Sequence, residues 1–217
     1  MSDMKEKLRS LKSLAGPFPV FDPGAAPHDP QDLFLAWLED AIDAGVREPH
    51  AMTLSTVDAE GRPDARVLIL KDINQDGWHF AITRNSPKGR QLSVNSQAAL
   101  TFYWQPLGRQ VRIRGVASDM GPAVRDADFL ARPVGSRAAA LLARQSDILS
   151  GDDELDRELE QQRKRIAEDR RIVAPNWAVY AVKPVEIEFW QGNEERRHIR
   201  LRYRRHEAGW ARERLWP

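Results

Sequence analysis

The chain has 217 residues, with 33 Lys and Arg against 32 Asp and Glu, and it contains no cysteine. The lack of cysteine excludes disulfides, thiol catalysis and metal centres with thiolate ligands. The net charge of +1 gives no overall attraction to nucleic acid or to an anionic membrane. No apolar run is long enough to span a membrane, and residues 1–14 lack an apolar signal region, so we expect a cytoplasmic protein.

A segment punctuated by prolines precedes the first clear helix. Residues 1–29 are expected to form a flexible N-terminal arm, which is either a free tail or a cover for a binding site. Asp29 then suits a helix N-cap, and Pro30 suits the first helical position. Apolar side chains recur on one face from Leu33 to Ile42, which predicts a helix with a buried stripe.

From Met52 onwards the pattern becomes that of β-strands, interrupted by helices. Strands are predicted at residues 52–57, 65–71, 78–83, 98–104, 110–117, 177–181, 185–190, 198–203 and 210–215. Ser86 as N-cap and Pro87 at the first position predict a short helix, and a helical insert is expected at about 121–170. This order predicts a single domain over residues 30–217, mainly β with peripheral helices, whose strands close into a barrel.

Several common catalytic signatures are missing from the sequence. It contains no glycine-rich nucleotide loop and no Gly-x-Ser-x-Gly elbow, and its five histidines do not fall at metal-ligand spacing. These absences argue against a hydrolase and against a metalloenzyme, so we expect no metal site.

Cationic side chains at the ends of predicted elements are more informative. Arg66 begins a strand and Lys71 ends it, and their odd separation places them on opposite faces of a regular strand. Lys88 lies in the first turn of a predicted helix, where free N–H groups already favour an anion. A bound phosphate would explain a cation at this position, although each of these residues alone is more often a solvated surface cation.

A second cationic group lies near the end of the chain. In an extended segment Arg196, His198 and Arg200 share one face, which forms a cationic rim suited to an anionic or electron-rich ligand. An exposed basic edge strand explains the same pattern equally well. Residues 196–217 hold eight Arg, and Tyr203 and Trp210 among them could stack on bases. The balanced overall charge and the lack of a nucleic-acid motif disfavour nucleic acid as a partner.

Short motifs follow one another in a distinctive order along the chain. They are Arg66-Val67-Leu68-Ile69-Leu70-Lys71, Ser86-Pro87-Lys88-Gly89-Arg90, Arg109-Gln110-Val111, Arg132-Pro133 with Ser136, Gln145-Ser146, Glu188-Phe189-Trp190-Gln191-Gly192, Arg196-x-His198-x-Arg200 and Arg214-Leu215-Trp216-Pro217. Over roughly residues 30–217 this series resembles the pyridoxamine 5′-phosphate oxidase family. The resemblance implies an FMN-binding split β-barrel that forms a homodimer, with FMN at the subunit interface.

The resemblance also implies a role for each matching residue. FMN is expected to contact Arg66, Val67, Leu68, Ile69, Leu70, Lys71, Lys88, Gln110, Gln145, Ser146, Trp190 and Arg200, partly from the second subunit. Within this set Arg66 and Lys88 would hold the FMN phosphate. The substrate is expected to contact Lys71, Asp128, Arg132, Ser136, Arg196 and His198. Of these, Arg196 and His198 would be the catalytic residues.

The activity implied is an FMN-dependent oxidation in pyridoxine biosynthesis. Pyridoxamine or pyridoxine 5′-phosphate would be converted to pyridoxal 5′-phosphate, with O2 as electron acceptor. The partners implied are a small, phosphorylated aromatic substrate and O2. Neither nucleic acid nor a membrane is expected as a partner.

At four places the sequence departs from the family pattern. Asp128 stands where a Tyr is usual, Pro87 where an Arg is common, Ala81-Ile82 where a Tyr-Thr pair is usual, and Ile199 where an Asp is usual. A carboxylate at position 128 would repel a substrate phosphate unless it turned away or were neutralised. The departures are similar to the superfamily branch that oxidises reduced phenazine precursors. Two alternatives follow: an FMN-dependent oxidase of a non-phosphorylated aromatic acid of the dihydrophenazine type, and a non-enzymatic flavin- or haem-binding barrel.

Overall fold

The computed structural model describes residues 3–217. The helices are α1 (Met4–Ser10), α2 (Pro30–Asp43), α3 (Pro87–Val94), α4 (Gly121–Leu130), α5 (Val134–Leu142) and α6 (Asp152–Glu168). The strands are β1 (Ala51–Val57), β2 (Pro63–Asn74), β3 (Gly77–Thr83), β4 (Gln97–Trp104), β5 (Arg109–Asp119), β6 (Trp177–Gln191), β7 (Ile199–His206) and β8 (Gly209–Leu215). A short 3₁₀ turn, Gln105–Leu107, joins β4 to β5.

The strands of the described chain form one eight-stranded sheet in the order β3-β2-β1-β4-β5-β6-β7-β8. β3 also pairs with β6 in the antiparallel sense, from Trp78 opposite Val182 to Thr83 opposite Trp177. This extra pairing closes the first six strands of that order into a barrel, and the antiparallel strands β7 and β8 extend beyond it. The predicted mainly β fold, with a closed barrel and peripheral helices, is confirmed.

Two glycines approach the backbone of β6 very closely. Gly77 has φ +120°, and a Cβ atom at this residue would lie 2.0 Å from the Val182 carbonyl oxygen. A Cβ atom on Gly115, in β5, would lie 2.1 Å from the Lys183 carbonyl oxygen. Both distances are far below a carbon–oxygen van der Waals contact, so only glycine fits at either position.

β6 is a single strand of 15 residues, where the sequence predicted two strands at 177–181 and 185–190. The prediction divided it because Pro184 cannot donate a hydrogen bond to a neighbouring strand. The strand nevertheless continues, since the fixed φ of proline is compatible with extended backbone and only one donor is lost. The other predicted strands, and the helices after Asp29 and Ser86, are present with ends shifted by a few residues.

Contacts within the chain group its residues into two compact units. The terminal unit comprises the residues up to Ala51, together with Thr101–Ile113 and Val185–Pro217. The insert unit comprises Met52–Leu100 and Arg114–Pro184. Each unit has its own core and its own cavity.

Aromatic side chains form the core of the terminal unit. The ring centroids of Phe34 and Phe102 lie 4.9 Å apart, and those of Trp37 and Phe189 lie 5.2 Å apart. Edge-to-face pairs of this kind add to the stabilisation that burial of the rings provides. Phe34 is fully buried on the apolar stripe of α2, as the spacing of its apolar residues predicted.

The N-terminal arm is attached to the terminal unit through its second half. α1 has no buried residue, whereas Phe21 is buried with its ring centroid 5.0 Å from that of Trp37. The Tyr203 hydroxyl donates a hydrogen bond to the Pro27 carbonyl at 2.7 Å. Residues 1 and 2 lie outside the described residues, and the flexibility of the arm and its boundary at residue 29 stay predictions.

The core of the insert unit lies beneath its helices. Phe129 and Ala140, from α4 and α5, pack with Ala174 and Trp177 in one buried cluster. The longest helix, α6, has 17 residues and many charged side chains. No helix in residues 3–217 is long and apolar enough to cross a membrane. Within the same residues, no group of three or more His, Asp or Glu side chains could hold a metal ion.

Candidate functional site

Ser86 and Pro87 build the N-terminus of α3, as the sequence predicted. The Ser86 hydroxyl accepts a hydrogen bond from the Gly89 N–H and donates one to the Thr83 carbonyl. Lys88 follows in the first turn and is only 6% exposed. A buried ammonium beside the positive end of a helix is unfavourable without a negative charge, so this placement indicates an anionic ligand.

Lys88 and Arg66 form a pair of like charges in the insert unit. Lys88 Nζ donates a hydrogen bond to Gln145 Oε1 at 2.9 Å. Burial lowers the pKa of the Lys88 ammonium, and the positive charge of Arg66 lowers it further, while Asp64 acts in the opposite direction. The Arg66 guanidinium donates to Thr56 Oγ1 at 2.6 Å and to Asp64 Oδ2 at 2.5 Å. The structure therefore brings two cations and a helix N-terminus together, and this group fits the phosphate of FMN.

A second cluster joins the end of β2 to the helical insert. Lys71 Nζ lies 3.4 Å from one carboxylate oxygen of Asp128. The other oxygen accepts a hydrogen bond from Trp177 Nε1 at 2.8 Å. The Arg132 guanidinium lies 4.2 Å from the centroid of the Trp177 ring, and its Nη2 is 3.4 Å from the Ser136 carbonyl oxygen. Four of the residues that the resemblance assigns to the substrate thus lie together, namely Lys71, Asp128, Arg132 and Ser136.

Arg132 carries an unused hydrogen-bond donor. Its buried Nε has no hydrogen-bond partner among the residues that the structure describes. Burial lowers the pKa of the Arg132 guanidinium, although the negative charge of Asp128 opposes this shift. Because a buried charged donor without a partner costs free energy, this group is suited to an acceptor that a ligand provides.

Members of both clusters line one cavity of about 590 Å³ in the insert unit, which we call the insert cavity. Its polar lining includes Lys88, Gln145, Arg132 and Ser136. Apolar side chains of β3, α5 and α6 supply much of the remaining wall, and they include Ala81, Ile82, Leu142 and Leu155. A mostly apolar wall with a few convergent cations suits a planar aromatic ligand that carries phosphate.

The remaining residues assigned to FMN in the insert unit differ in exposure. Leu68 lines the insert cavity, Ile69 is half-buried, Leu70 is buried and Val67 is 66% exposed. The pairing of β2 with β3 shifts register between Leu70 and Asp72, which places a bulge at Lys71. Bulges redirect side chains, so the simple parity between Arg66 and Lys71 does not determine their directions. Ser146 is exposed, with φ +74°.

A second cavity, of about 670 Å³, lies in the terminal unit, and we call it the terminal cleft. His198 lines this cleft, and its Nδ1 accepts a hydrogen bond from the Asn193 N–H at 3.1 Å. Its ring centroid lies 4.9 Å from that of Trp190. Burial lowers the pKa of the His198 imidazole, and the charge of Arg196 lowers it further. A lowered pKa favours the neutral ring at neutral pH, and a neutral ring whose Nδ1 accepts a hydrogen bond carries its proton on Nε2.

The alternating faces predicted for residues 196–200 are not found. β7 begins only at Ile199, and Arg196 lies in a turn with φ +64°. Asn193 Oδ1 accepts the Arg197 N–H at 3.3 Å, which stabilises this turn. The residues that line the terminal cleft therefore come from both predicted faces, and they include Arg196, Arg197, His198 and Ile199.

Arg200 is held by Glu188, a buried carboxylate to which the sequence analysis gave no role. Glu188 Oε1 accepts a hydrogen bond from Arg200 Nε at 2.8 Å, and its other oxygen pairs with Arg112. Arg200 also donates to the Trp216 carbonyl at 3.0 Å. Burial acts to raise the pKa of Glu188, but the hydrogen bonds from Arg200 and Arg112 outweigh it and hold this pKa below its usual value. The available sequence signal was a charged residue between the apolar Ile187 and Phe189.

Gln110, which the resemblance assigns to the flavin, is half-buried in β5 beside a buried cation. That cation is Arg109, whose Nε donates to Gln191 Oε1 at 3.0 Å and whose Nη1 donates to Asp40 Oδ2 at 2.6 Å. The guanidinium also lies 4.4 Å from the Trp37 ring centroid. These contacts hold the β5 backbone in place next to Gln110.

The six strands that close through the β3–β6 pairing give this chain the fold of a split β-barrel. A solved structure from Nostoc punctiforme, described as a pyridoxamine 5′-phosphate oxidase-related, FMN binding protein, has the same fold, with a TM-score of 0.70 at 18% identity over 87% of this chain and 98% of that chain. The family model described as "Pyridoxamine 5′-phosphate oxidase" matches residues 38–191. The chain therefore belongs to the pyridoxamine 5′-phosphate oxidase family. A second model, "Pyridoxine 5′-phosphate oxidase C-terminal dimerisation region", matches residues 177–217 and supports a homodimer.

Individual relatives agree with this assignment. A pyridoxine/pyridoxamine 5′-phosphate oxidase of Pseudomonas paraeruginosa is 43% identical over 194 residues, which is 88% of this chain and 90% of the relative. One of Rubrobacter xylanophilus is 43% identical over 195 residues, covering 89% of each chain. The solved structure of PhzG from Burkholderia lata, in complex with tetrahydrophenazine-1-carboxylic acid, has a TM-score of 0.87 at 31% identity, covering 93% of this chain and 100% of that chain.

Proposed function

We propose that this protein is an FMN-dependent oxidase that converts pyridoxamine and pyridoxine 5′-phosphate to pyridoxal 5′-phosphate, with O2 as electron acceptor. The observation that carries the proposal is that Lys88 and Arg132, from two separate cation clusters, line the same cavity. One cluster suits the phosphate of a cofactor and the other suits the phosphate of a substrate. The relatives at 43% identity are named as oxidases of these compounds.

We assign the first cluster to FMN. Arg66, Lys88 and the N–H groups at the start of α3 would bind its phosphate, and Gln145 and Ser146 would contact other parts of the cofactor. FMN bound there would supply the redox chemistry, as acceptor of a hydride from the substrate and donor of electrons to O2. In the terminal unit, the resemblance assigns Gln110, Trp190 and Arg200 to contacts with FMN, partly from the second subunit.

We assign the second cluster to the substrate. Lys71, Arg132 and Ser136 would bind its phosphate, and Arg196 and His198 would contact its ring. Because His198 is neutral and its Nδ1 accepts a backbone N–H, its Nε2–H is the donor that remains for a substrate oxygen. The guanidinium of Arg196 would orient a ring substituent that carries negative charge.

The proposal is tested first by the cofactor and then by turnover. The purified protein should be yellow, release FMN on denaturation and sediment as a dimer. In anaerobic stopped-flow measurements, pyridoxine 5′-phosphate and pyridoxamine 5′-phosphate should bleach the flavin absorbance, and O2 should restore it. A colourless protein that FMN does not stabilise would refute any flavin-dependent activity. Bound flavin without substrate-dependent oxygen uptake would indicate a non-enzymatic binding barrel.

A second candidate is the oxidation of a non-phosphorylated aromatic acid. The observation in its favour is that Asp128 already neutralises Lys71 within the chain. PhzG, at 31% identity, was solved with an aromatic carboxylic acid of this kind. Bleaching of the flavin by a reduced phenazine carboxylic acid, but by neither B6 phosphate at millimolar concentration, would favour this second candidate.

A further inference from the structure

Asp128 places a negative charge among the cations that we assign to the substrate phosphate. Its carboxylate lies 3.4 Å from Lys71 Nζ, and its negative charge also acts on Arg132. One of the two cations is thus already ion-paired within the chain, and the other faces the same negative charge. Lys71, Arg132 and Asp128 together carry a net charge of about one positive unit, whereas a phosphate monoester carries nearly two negative units at neutral pH.

The carboxylate is fixed, but its ion pair can be exchanged. Trp177 Nε1 donates to Asp128 at 2.8 Å, and this hydrogen bond keeps the carboxylate beside the lysine. The ion pair itself is longer than an ordinary charge-assisted hydrogen bond, and the side chains of Lys71 and Asp128 are 32% and 17% exposed. A partly exposed pair of this kind is weak enough for a ligand oxygen to replace it. A phosphate that reaches Lys71 would therefore displace the lysine from Asp128 while repelling that carboxylate.

We propose that Asp128 is a specificity-determining residue, whose carboxylate competes with the anionic group of the substrate for Lys71. The competition lowers the preference of the enzyme for phosphorylated over non-phosphorylated substrates. This inference rests on the proposed function, because it requires that Lys71 and Arg132 face the substrate. The buried Arg132 Nε, which has no hydrogen-bond partner within the described chain, remains available to either class of substrate.

Asp128→Asn tests the charge while keeping the shape. Asparagine retains an oxygen that can accept the Trp177 Nε1–H, so the packing of the cluster is preserved. For the FMN-loaded variant we expect the KM for pyridoxine 5′-phosphate to fall about tenfold, which corresponds to about 1.4 kcal/mol. The kcat should stay within about twofold, and the KM for non-phosphorylated pyridoxine should not change. An equal change in KM for both substrates, or none for either, would overturn the proposal.

Two control variants separate charge from general disturbance. Asp126→Asn lies on the same helix, and it removes a carboxylate that pairs with Arg125 at 2.6 Å. This variant should leave both KM values unchanged. Asp128→Glu keeps the negative charge and should not lower the KM for the phosphorylated substrate. If Asp128→Asn loses its flavin, Asp128→Ser provides a second uncharged side chain for the same comparison.

A binding measurement separates the failure of this inference from that of the proposed function. Calorimetric titration of the FMN-loaded protein with inorganic phosphate requires no turnover. Tighter phosphate binding by Asp128→Asn, without oxidation of either B6 phosphate by any variant, would support the role of Asp128 and refute the proposed function. The wild type and Asp128→Asn could instead oxidise the B6 phosphates normally and show the same ratio of the KM for pyridoxine 5′-phosphate to the KM for pyridoxine. That result would refute the role of Asp128 and leave the proposed function standing. Unchanged phosphate binding without oxidation would refute both.

Discussion

Replacing Lys88 with methionine should separate cofactor binding from folding. The substitution keeps an unbranched apolar side chain of similar length and removes the ammonium. In the FMN-free protein this ammonium is buried, and both burial and the charge of Arg66 disfavour it. Its removal relieves that cost and loses one hydrogen bond to Gln145. We therefore expect the free energy of unfolding of the FMN-free protein to change by no more than about 1 kcal/mol.

The FMN-loaded protein should respond very differently. A hydrogen bond from an ammonium to a phosphate contributes roughly 1.5–3 kcal/mol, because both groups are charged. Loss of this bond should raise the Kd for FMN roughly 10- to 150-fold. The stabilisation of the fold by a given concentration of FMN should decrease in parallel, since a ligand that binds only the folded state stabilises it by mass action.

Quenching of FMN fluorescence on titration with FMN-free protein measures the Kd, and thermal unfolding with and without FMN measures the two stabilities. Lys164→Met, which removes an exposed ammonium from α6, is the matched control and should change neither quantity. An FMN Kd within about twofold of the wild-type value would refute the role of Lys88 at the phosphate. A large loss of stability in the FMN-free variant would instead show that the ammonium supports the fold.

Three further substitutions test other parts of the structure. Glu188→Gln should lower the free energy of unfolding, measured by urea denaturation, by about 2 kcal/mol, because it weakens two charge-assisted pairs of a buried group. Glu213→Gln, on a partly exposed carboxylate that also pairs with two arginines, should lower it less. The folded-state pKa of His198 is lowered, so the unfolded chain binds more protons than the folded chain just below about pH 6.5. As the pH is lowered from about 7 to about 5.5, the melting temperature should therefore fall more steeply in the wild type than in His198→Gln. Gly77→Ala should lower the free energy of unfolding by more than about 2 kcal/mol, because the new Cβ meets a backbone oxygen. The control Gly135→Ala, whose Cβ meets nothing within 4 Å, should raise it by up to about 1 kcal/mol through better helix propensity.

Each of these expectations has a clear opposite outcome. If Glu188→Gln and Glu213→Gln are equally stable, the buried carboxylate does not hold its arginines. Parallel pH profiles for the wild type and His198→Gln would show that this imidazole titrates alike in the folded and unfolded chains. A Gly77→Ala variant of normal stability would show that the backbone at the start of β3 can shift away from β6.

Local signals predicted where α2 and α3 begin, but they did not predict α1. Asp29 with Pro30 and Ser86 with Pro87 each combine a capping side chain with a proline at the first helical position, and both helices begin there. One further failure involves long-range strand pairing, and another involves a local hydrogen bond from the backbone to a side chain. Pairing with neighbouring strands carries β6 through Pro184, and the side chain of Asn193 holds Arg196 in a turn. Neither effect is contained in the alternation of the residues concerned.

The sequence grouped the residues of the candidate site but did not predict how they pair. The resemblance assigns Lys71 and Asp128 to the same ligand, but the bulge at Lys71 means that strand parity does not give the direction of its side chain. The pairing of Lys71 with Asp128 depends on α4, which carries Asp128, and on Trp177 at the start of β6. Both elements follow Lys71 much later in the chain. The burial of Glu188 beside Arg200 likewise depends on the pairing of β6 with β7.

The two glycines beside β6 limit how the insert cavity can be altered. Gly77 and Gly115 approach consecutive carbonyls, those of Val182 and Lys183, so a side chain at either glycine would push β6 away from its neighbour. The circumference of the barrel is therefore fixed there, and larger side chains at these points would distort the strands rather than reshape the cavity. Redesign for a larger or smaller aromatic substrate should instead begin on the helical wall, where side chains such as Leu155 can change size without moving a strand.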